Sequence, residues 1–346
     1  MTASFDHVLA ALPALTDHPR VDLFQDPTPL RPMTRTSDAL GLDIDIKRDD
    51  LLPLAMGGNK VRQLEFYLGQ AHAQGADTVL ITGAIQSNFV RLCAAAARQL
   101  GWHPVVQLED RVPKDDPAYN NSGNVLLLKM LGAEVHRFPE GENEAAADAN
   151  LDQLAAGMRA KGAAPYVIHL GIDHPPYGGL GYVAAAVETF LQYKARGGYP
   201  DAVFLPSGSG LTHAGFLVGA RAVGWDVPVF GICVRRDADQ QKARITRRAG
   251  ELSDMLGGVA LSDRDVQVSD AVLPPGYGQM NSAVAEAIQL AAQSDAILLD
   301  PVYSGRTFAG LLNDHKHGRL NKFGRVLFVH TGGTPAIFAY QSELGI

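Results

Sequence analysis

Cysteine is nearly absent from this chain: Cys93 and Cys233 are the only two in 346 residues. They stand far apart in apolar surroundings, which predicts buried free thiols in a reducing compartment and no disulfide framework. No basic run occurs and the formal net charge is −7, which argues against nucleic acid as the main partner. The N-terminus lacks the basic-then-apolar pattern of a secretory signal. No uninterrupted apolar run is long enough to span a bilayer. Together these absences predict a soluble cytoplasmic protein.

Several catalytic signatures are missing as well. There is no Gly-x-Ser-x-Gly elbow, no His-Glu-x-x-His and no paired Cys-x-x-Cys. His315 and His317 sit two apart, which splays them on a helix, so no metal site is expected. What remains is a chain whose 46% hydrophobic content suffices for a packed core. Its length suits one large or two ordinary domains.

The pattern along the chain is regular. Phe5, Val8, Leu9 and Leu12 mark a short amphipathic helix. The proline-rich stretch 26–32 must be extended or turned. Residues 42–47 alternate apolar and acidic, as in a half-exposed strand. From Thr78 onward short apolar strands alternate with helices. The strands are expected at 78–82, 104–108, 134–138, 166–170, 202–205, 227–234, 265–268, 296–299 and 325–330. Such alternation predicts an α/β fold with parallel sheets covered by helices on both faces. Right-handed crossovers then bring the strand-to-helix turns to one edge, where ligands bind. No tandem repeat or long linker is present, so two domains would be interleaved, with a break near residues 171–181.

Four stretches carry the chemistry. Gly57-Gly58-Asn59-Lys60 delivers a lysine to the first turn of a helix over about 60–74. Partial burial would lower its pKa and make it a usable nucleophile. Ser207-Gly208-Ser209-Gly210-Leu211-Thr212 ends a strand and opens a helix, where unpaired amides and the helix dipole hold a phosphate. His213 occupies the third glycine position of a dinucleotide fingerprint, and no Gly-Lys-Ser/Thr follows, so neither that fingerprint nor a P-loop fits. Gly83-Ala84-Ile85-Gln86-Ser87-Asn88 places hydroxyl, amide and N–H groups at a helix start, suited to a carboxylate or to simple capping. Tyr277 and Tyr303, the latter in Asp300-Pro301-Val302-Tyr303-Ser304, are candidate acid/base groups on loops.

A lysine turn, a serine–asparagine helix start and a phosphate loop suggest pyridoxal 5′-phosphate. In their order and spacing these motifs resemble the 1-aminocyclopropane-1-carboxylate deaminase and D-cysteine desulfhydrase family, of the tryptophan synthase β-like fold (fold type II). The resemblance runs from Arg31 to Gly333. It implies that Lys60 holds the cofactor as a Schiff base and that Asn88 bonds its hydroxyl. Residues 207–212 would hold its phosphate. Gln86, Ser87, Asn88 and Phe89 would meet the substrate, with Ser87 a carboxylate anchor or acid/base group, flanked by Tyr277 and Tyr303. It further implies a large domain of residues 1–61 and 173–346, a small inserted domain of residues 62–172, and a homodimer. Phe89 stands where the desulfhydrases carry His and the deaminases Gln. Ser304 stands where the deaminases carry Glu, with Ser304 or Thr331 left to offer the pyridine nitrogen a neutral hydrogen bond. That substitution favours β-elimination from a small amino acid, desulfhydrase-like or cysteate sulfo-lyase-like, over opening of a cyclopropane ring. A ring-opening deaminase, a nucleotide-dependent oxidoreductase or kinase, and a catalytically silent binder of the cofactor or an amino acid remain the rival expectations.

Overall fold

A computed structural model describes residues 4–344. Ten strands form two sheets: β1 Leu30–Pro32, β2 Asp43–Arg48, β3 Thr78–Ala84, β4 His103–Glu109, β5 Glu134–Phe138, β6 Pro165–Ile168, β7 Ala202–Ser207, β8 Val229–Cys233, β9 Val266–Ser269 and β10 Arg325–His330. One sheet has the order β1-β2-β10-β7-β8-β9 and the other β5-β4-β3-β6. Every neighbouring pair is parallel except β1 with β2.

The central strands β7, β8 and β10 of the larger sheet are largely apolar on both faces because helices cover both. Tyr177–Arg196 and Leu211–Ala222 pack a core of Leu180, Val183, Val203, Leu205 and Phe216 on one side. Ser282–Asp295 and Ser304–Lys316 enclose Phe204, Ile232, Ile288, Phe308 and Phe328 on the other. The smaller sheet packs against the helices Lys60–Ala73 and Asn88–Gln99 around Val79, Ile81, Val90 and Val106.

Three expectations need correction. The segment 296–299 is not a strand: helix Ser282–Asp295 ends with Ala296 in the left-handed region at φ +54°, and the chain then runs irregularly to Asp300. Residues Thr34–Leu40 form a helix that the polar, proline-flanked sequence did not announce. The third concerns β2. Its alternation of Ile with Asp and Lys predicts one wet face, yet Ile44, Asp45, Ile46 and Lys47 are all buried.

The polar face of β2 is dry because it is paired. Lys47 Nζ binds Glu188, the Thr28 carbonyl at 2.8 Å and Gln192 Oε1 at 2.7 Å. Arg62 reaches both Asp49 oxygens (3.0 and 3.1 Å) and both Glu188 oxygens (2.9 Å each). Tyr182 and Thr28 donate to the remaining lone pairs of Asp49 at 2.7 and 2.8 Å. Two cations thus meet two carboxylates with their hydrogen bonds made, which is the condition under which buried charge is tolerated. Burial pushes Asp49 and Glu188 upward, but the Arg62 and Lys47 charges outweigh it and hold both carboxyls below their ordinary range. Arg62 lies two residues beyond Lys60, so this cluster pins the root of the lysine's helix.

Removing the Arg62 side chain would strand two buried carboxylates. Arg62→Met should lower stability by about 3–5 kcal/mol, read as a fall in the urea midpoint at unchanged slope.

Candidate active site

Both sheets present their carboxyl edges to one cavity. Its wall is built largely from turns that follow strands: residues 87–89 after β3, Arg111 after β4, residues 208–210 and Thr212 after β7, residues 234–236 after β8 and residues 331–332 after β10. Lys60, Tyr277 and Tyr303 complete it.

The lysine turn is locally demanding. Ala55 and Met56 sit at φ +41° and +68°, and Gly57 and Gly58 at +64° and +121°. A Cβ at Gly57 would collide with the Asp50 carbonyl, and one at Gly58 would come 3.0 Å from the Thr331 carbonyl, so glycine is required there for space as well as conformation. Arg91, from helix Asn88–Gln99, donates to the Ala55 and Gly57 carbonyls at 2.9 Å each and holds the turn. The Asn59 backbone N–H donates to the Thr331 carbonyl at 3.0 Å. The side chains of Asn59 and Gln63 both donate to Thr212 Oγ1, at 2.8 and 2.9 Å. The lysine turn, the loop after β7 and the turn after β10 are therefore tied directly to one another.

Lys60 Nζ donates to Gln63 Oε1 at 3.1 Å and lies 4.9 Å from the Phe89 ring centroid. It meets no carboxylate. Burial without a counter-charge brings its pKa down to about 7, so a large fraction of the amine is unprotonated at neutral pH.

The Gly-Ser loop opens helix Leu211–Ala222, and no side chain caps that helix. Its first amides are left without intrahelical partners beside the cavity. Ser87 is the N-cap of Asn88–Gln99: its Oγ accepts from the Val90 N–H at 3.2 Å, which leaves its own proton available to donate. The Asn88 carboxamide is fixed by Asn124, whose Nδ2 donates to Asn88 Oδ1 at 3.0 Å and to the Gln86 carbonyl at 2.9 Å. Tyr277 and Tyr303 share a hydroxyl–hydroxyl hydrogen bond of 2.7 Å. Burial first, and the neighbouring Tyr277 next, push the Tyr303 phenol well above its ordinary value. The Tyr303 phenol therefore keeps its proton at neutral pH.

Of the expected site residues, Lys60, Ser87, Asn88, Phe89, Gly208, Ser209, Gly210, Thr212, Tyr277, Tyr303 and Thr331 all line the cavity. Four do not. Gln86 spends its amide on the Tyr119 and Ser122 carbonyls and on the Asn124 N–H. The Ser207 hydroxyl is taken by His213 and Gln241. Leu211 is packed into the core of the smaller sheet. Ser304 is the sharpest correction: its hydroxyl donates to Asp300 Oδ1 at 2.6 Å and accepts from the Asp300 N–H at 2.8 Å. Asp300 also takes the N–H groups of Val302, Tyr303 and Ser304, so Asp300-Pro301-Val302-Tyr303-Ser304 is a self-capped turn that aims Tyr303. Thr331 lines the cavity where Ser304 does not.

Sequence reasoning missed Arg111, Glu144, Arg235, Arg236 and Arg244, which also line the cavity. Their spacing in the chain carries no motif; only the fold assembles them. Asn124 was missed because a lone asparagine at a helix start reads as a cap.

A lysine whose pKa burial brings down to about 7, an uncapped helix start, Thr331 and Asn88, all on one cavity wall, fit a planar aldehyde bearing a phosphate. The comparisons agree. Residues 21–332 match the family model described as "Pyridoxal-phosphate dependent enzyme". The chain belongs to the pyridoxal-phosphate dependent enzymes. It is 41% identical over 330 residues to the D-cysteine desulfhydrases of Salmonella choleraesuis and Salmonella typhi, covering 95% of this chain and 98% of each relative. A crystal structure of an ACC deaminase homologue superposes with a TM-score of 0.85 at 32% identity, covering 97% of this chain and 98% of the other. A fungal L-serine ammonia-lyase from Rhizomucor miehei, at 18% identity and a TM-score of 0.65, shares the fold. The fold is therefore the type II pyridoxal-phosphate fold that the motifs led us to expect.

The depressed Lys60 pKa gives a direct test. In the cofactor-free protein, labelling of Lys60 by an amine-selective reagent should rise with pH through a midpoint of about 7. Surface lysines should still be rising near their ordinary value of about 10.4. Site-resolved mass spectrometry separates the two.

Proposed function

We propose that this chain is a lyase that removes a β-substituent from a small amino acid and releases pyruvate and ammonia, in the manner of its D-cysteine desulfhydrase relatives. The observation that carries this reading is the meeting, in one cavity, of a buried lysine without a counter-charge, an open helix start, a hydroxyl-amide carboxylate cradle and a paired phenol. The bound cofactor supplies the electron sink for the carbanion formed at Cα.

The protein supplies the rest. Lys60 would hold the cofactor, and its amine would take the α-proton of the substrate. The backbone amides of residues 208–212 and the Thr212 hydroxyl would hold its phosphate, and Asn88 and Thr331 would orient its ring. Thr331 offers the pyridine nitrogen a neutral hydrogen bond only, which suffices when a β-leaving group drains the carbanion. Ser87 anchors the substrate carboxylate through its free proton. The Tyr277–Tyr303 pair delivers a proton to the departing group, because a phenol kept neutral is a donor in that role. Phe89 forms an apolar wall beside Lys60.

The same reading makes residues 62–172 a smaller lobe carried between the two parts of a larger one, 1–61 and 173–346. The four-stranded sheet lies wholly inside that stretch. It also makes the protein a cytoplasmic homodimer, in keeping with two buried free thiols; no helix among the described residues is long and apolar enough to cross a membrane.

Keto acid and ammonia should appear in equal amounts from D- or L-amino acids with β-leaving groups, and 1-aminocyclopropane-1-carboxylate should be turned over poorly. Efficient opening of that ring, or no keto acid from any β-substituted amino acid, would contradict the assignment. Ser87→Ala separates anchoring from chemistry. Loss of one charge-assisted bond costs about 1.5–3 kcal/mol, so KM should rise roughly ten- to a hundredfold with kcat nearly kept. A collapse of kcat at unchanged KM would instead make Ser87 part of the proton transfer.

A further inference from the structure

We infer that Arg111 selects substrates whose β-substituent is itself an anionic oxyacid group, a sulfonate above all. This rests on the elimination reading above and names the substrate class of the same site.

The cavity wall holds four arginines and one glutamate. Three of the arginines are already committed. Arg235 and Arg236 donate to Glu144 Oε1 at 2.7 and 2.6 Å. Arg236 and Arg244 also donate to the Gly208 and Ser209 carbonyls, at 3.3 and 2.8 Å, and so belong to the outer side of the phosphate loop. Arg111 comes from the edge of the smaller sheet; it lies within range of the charges of Glu144 and Arg236 but makes no hydrogen bond to that group.

Its position is closely defined. In the register of the sheet, Ala84 of β3 faces Glu109 of β4, so Arg111 leaves that edge beside the turn that carries Ser87 and Asn88. The next residue, Val112, packs so closely on Gly278 that a Cβ there would overlap it, which brings the segment against the Tyr277 loop. Glu109, fully buried and outside the cavity wall, grips Arg111 from behind: Nε and Nη2 donate to its two oxygens at 2.8 Å each. Burial lowers the guanidinium pKa, but the bonds and charge of Glu109 outweigh it and hold the group more firmly cationic than usual. Nη1 has no protein acceptor among the described residues. A rigid cation therefore turns its unspent donor edge to the cavity, between the carboxylate cradle and the phenol pair. A neutral thiol gains little from it. An oxyanion gains a charge-assisted hydrogen bond with a preset fork geometry.

The chemistry balances without a further reagent. With a β-sulfonate, the Cα–H and Cβ–S bonds break. The proton goes to Lys60, and the electron pair left on Cα forms the Cα=Cβ bond. Sulfur departs with its bonding pair as sulfite. Water then hydrolyses the released enamine to pyruvate and ammonia.

The test compares kcat/KM for cysteate and cysteine, both enantiomers of each, in wild type, Arg111→Ala and Arg111→Lys, with cofactor absorbance as the check on folding. Wild type should favour cysteate over cysteine by at least tenfold. Arg111→Ala should lose roughly ten- to a hundredfold on cysteate and less than about threefold on cysteine, with Arg111→Lys regaining part of the loss. Equal loss on both substrates would make Arg111 an anchor for the α-carboxylate and overturn the proposal, as would a wild-type preference for cysteine. If Arg111→Ala fails to fold, the wild-type preference and the Arg111→Lys ratio decide. Turnover of cysteine alone leaves the elimination reading standing and removes this one; no keto acid from either removes both.

Discussion

The structure depends on a buried group of charges at the foot of one helix. Arg62 is clamped by Asp49 and Glu188, with Lys47, Thr28 and Tyr182 closing the set. Asp49 follows β2, and Glu188 lies on the long helix Tyr177–Arg196. The clamp therefore fixes helix Lys60–Ala73 against the larger sheet, although that helix packs its apolar residues largely with the smaller one. A hydrophobic contact could hold the helix as strongly, but it would tolerate sliding and rotation. A bidentate guanidinium does not. Rotational register is what the reaction needs, because Lys60 must point into the cavity while Arg62 points away from it.

Everything reactive then follows from one lysine held among apolar and uncharged groups. Its amine has Gln63 and the face of Phe89 for neighbours and no carboxylate within bonding distance. The charges that line the cavity sit elsewhere, at the phosphate loop and beside the phenol pair. This separation leaves the amine without a counter-charge, its pKa brought down to about 7, and sets the cations and free amides of the cavity apart from it. The left-handed residues Ala55 and Met56, held by Arg91, are the conformational cost of presenting the lysine at a turn.

Much of this was legible in the residues. Alternating strands and helices announced the parallel sheets, and the glycine-rich turns announced the site, because both signals are local. Strand β2 was misread for the converse reason. Asp45 and Lys47 look solvated in a six-residue window, and their partners Tyr193, Arg196 and Glu188 lie over 140 positions away. The engagement of the Ser304 hydroxyl with Asp300, four residues earlier, is a feature of the folded turn that the motif does not spell out. The cavity arginines left no trace at all, since Arg111 and Arg235 come from the edges of different sheets. Residues that act through local backbone geometry were found, and those that act through assembly were not.

Lys60 is the residue proposed to carry the cofactor. Reduction of the purified, cofactor-loaded protein with borohydride, followed by peptide mapping, tests that directly. The label should fall on the peptide containing Lys60 alone, and Lys60→Ala should fold yet take up none. A label on Lys47, on a surface lysine, or on no lysine would contradict it.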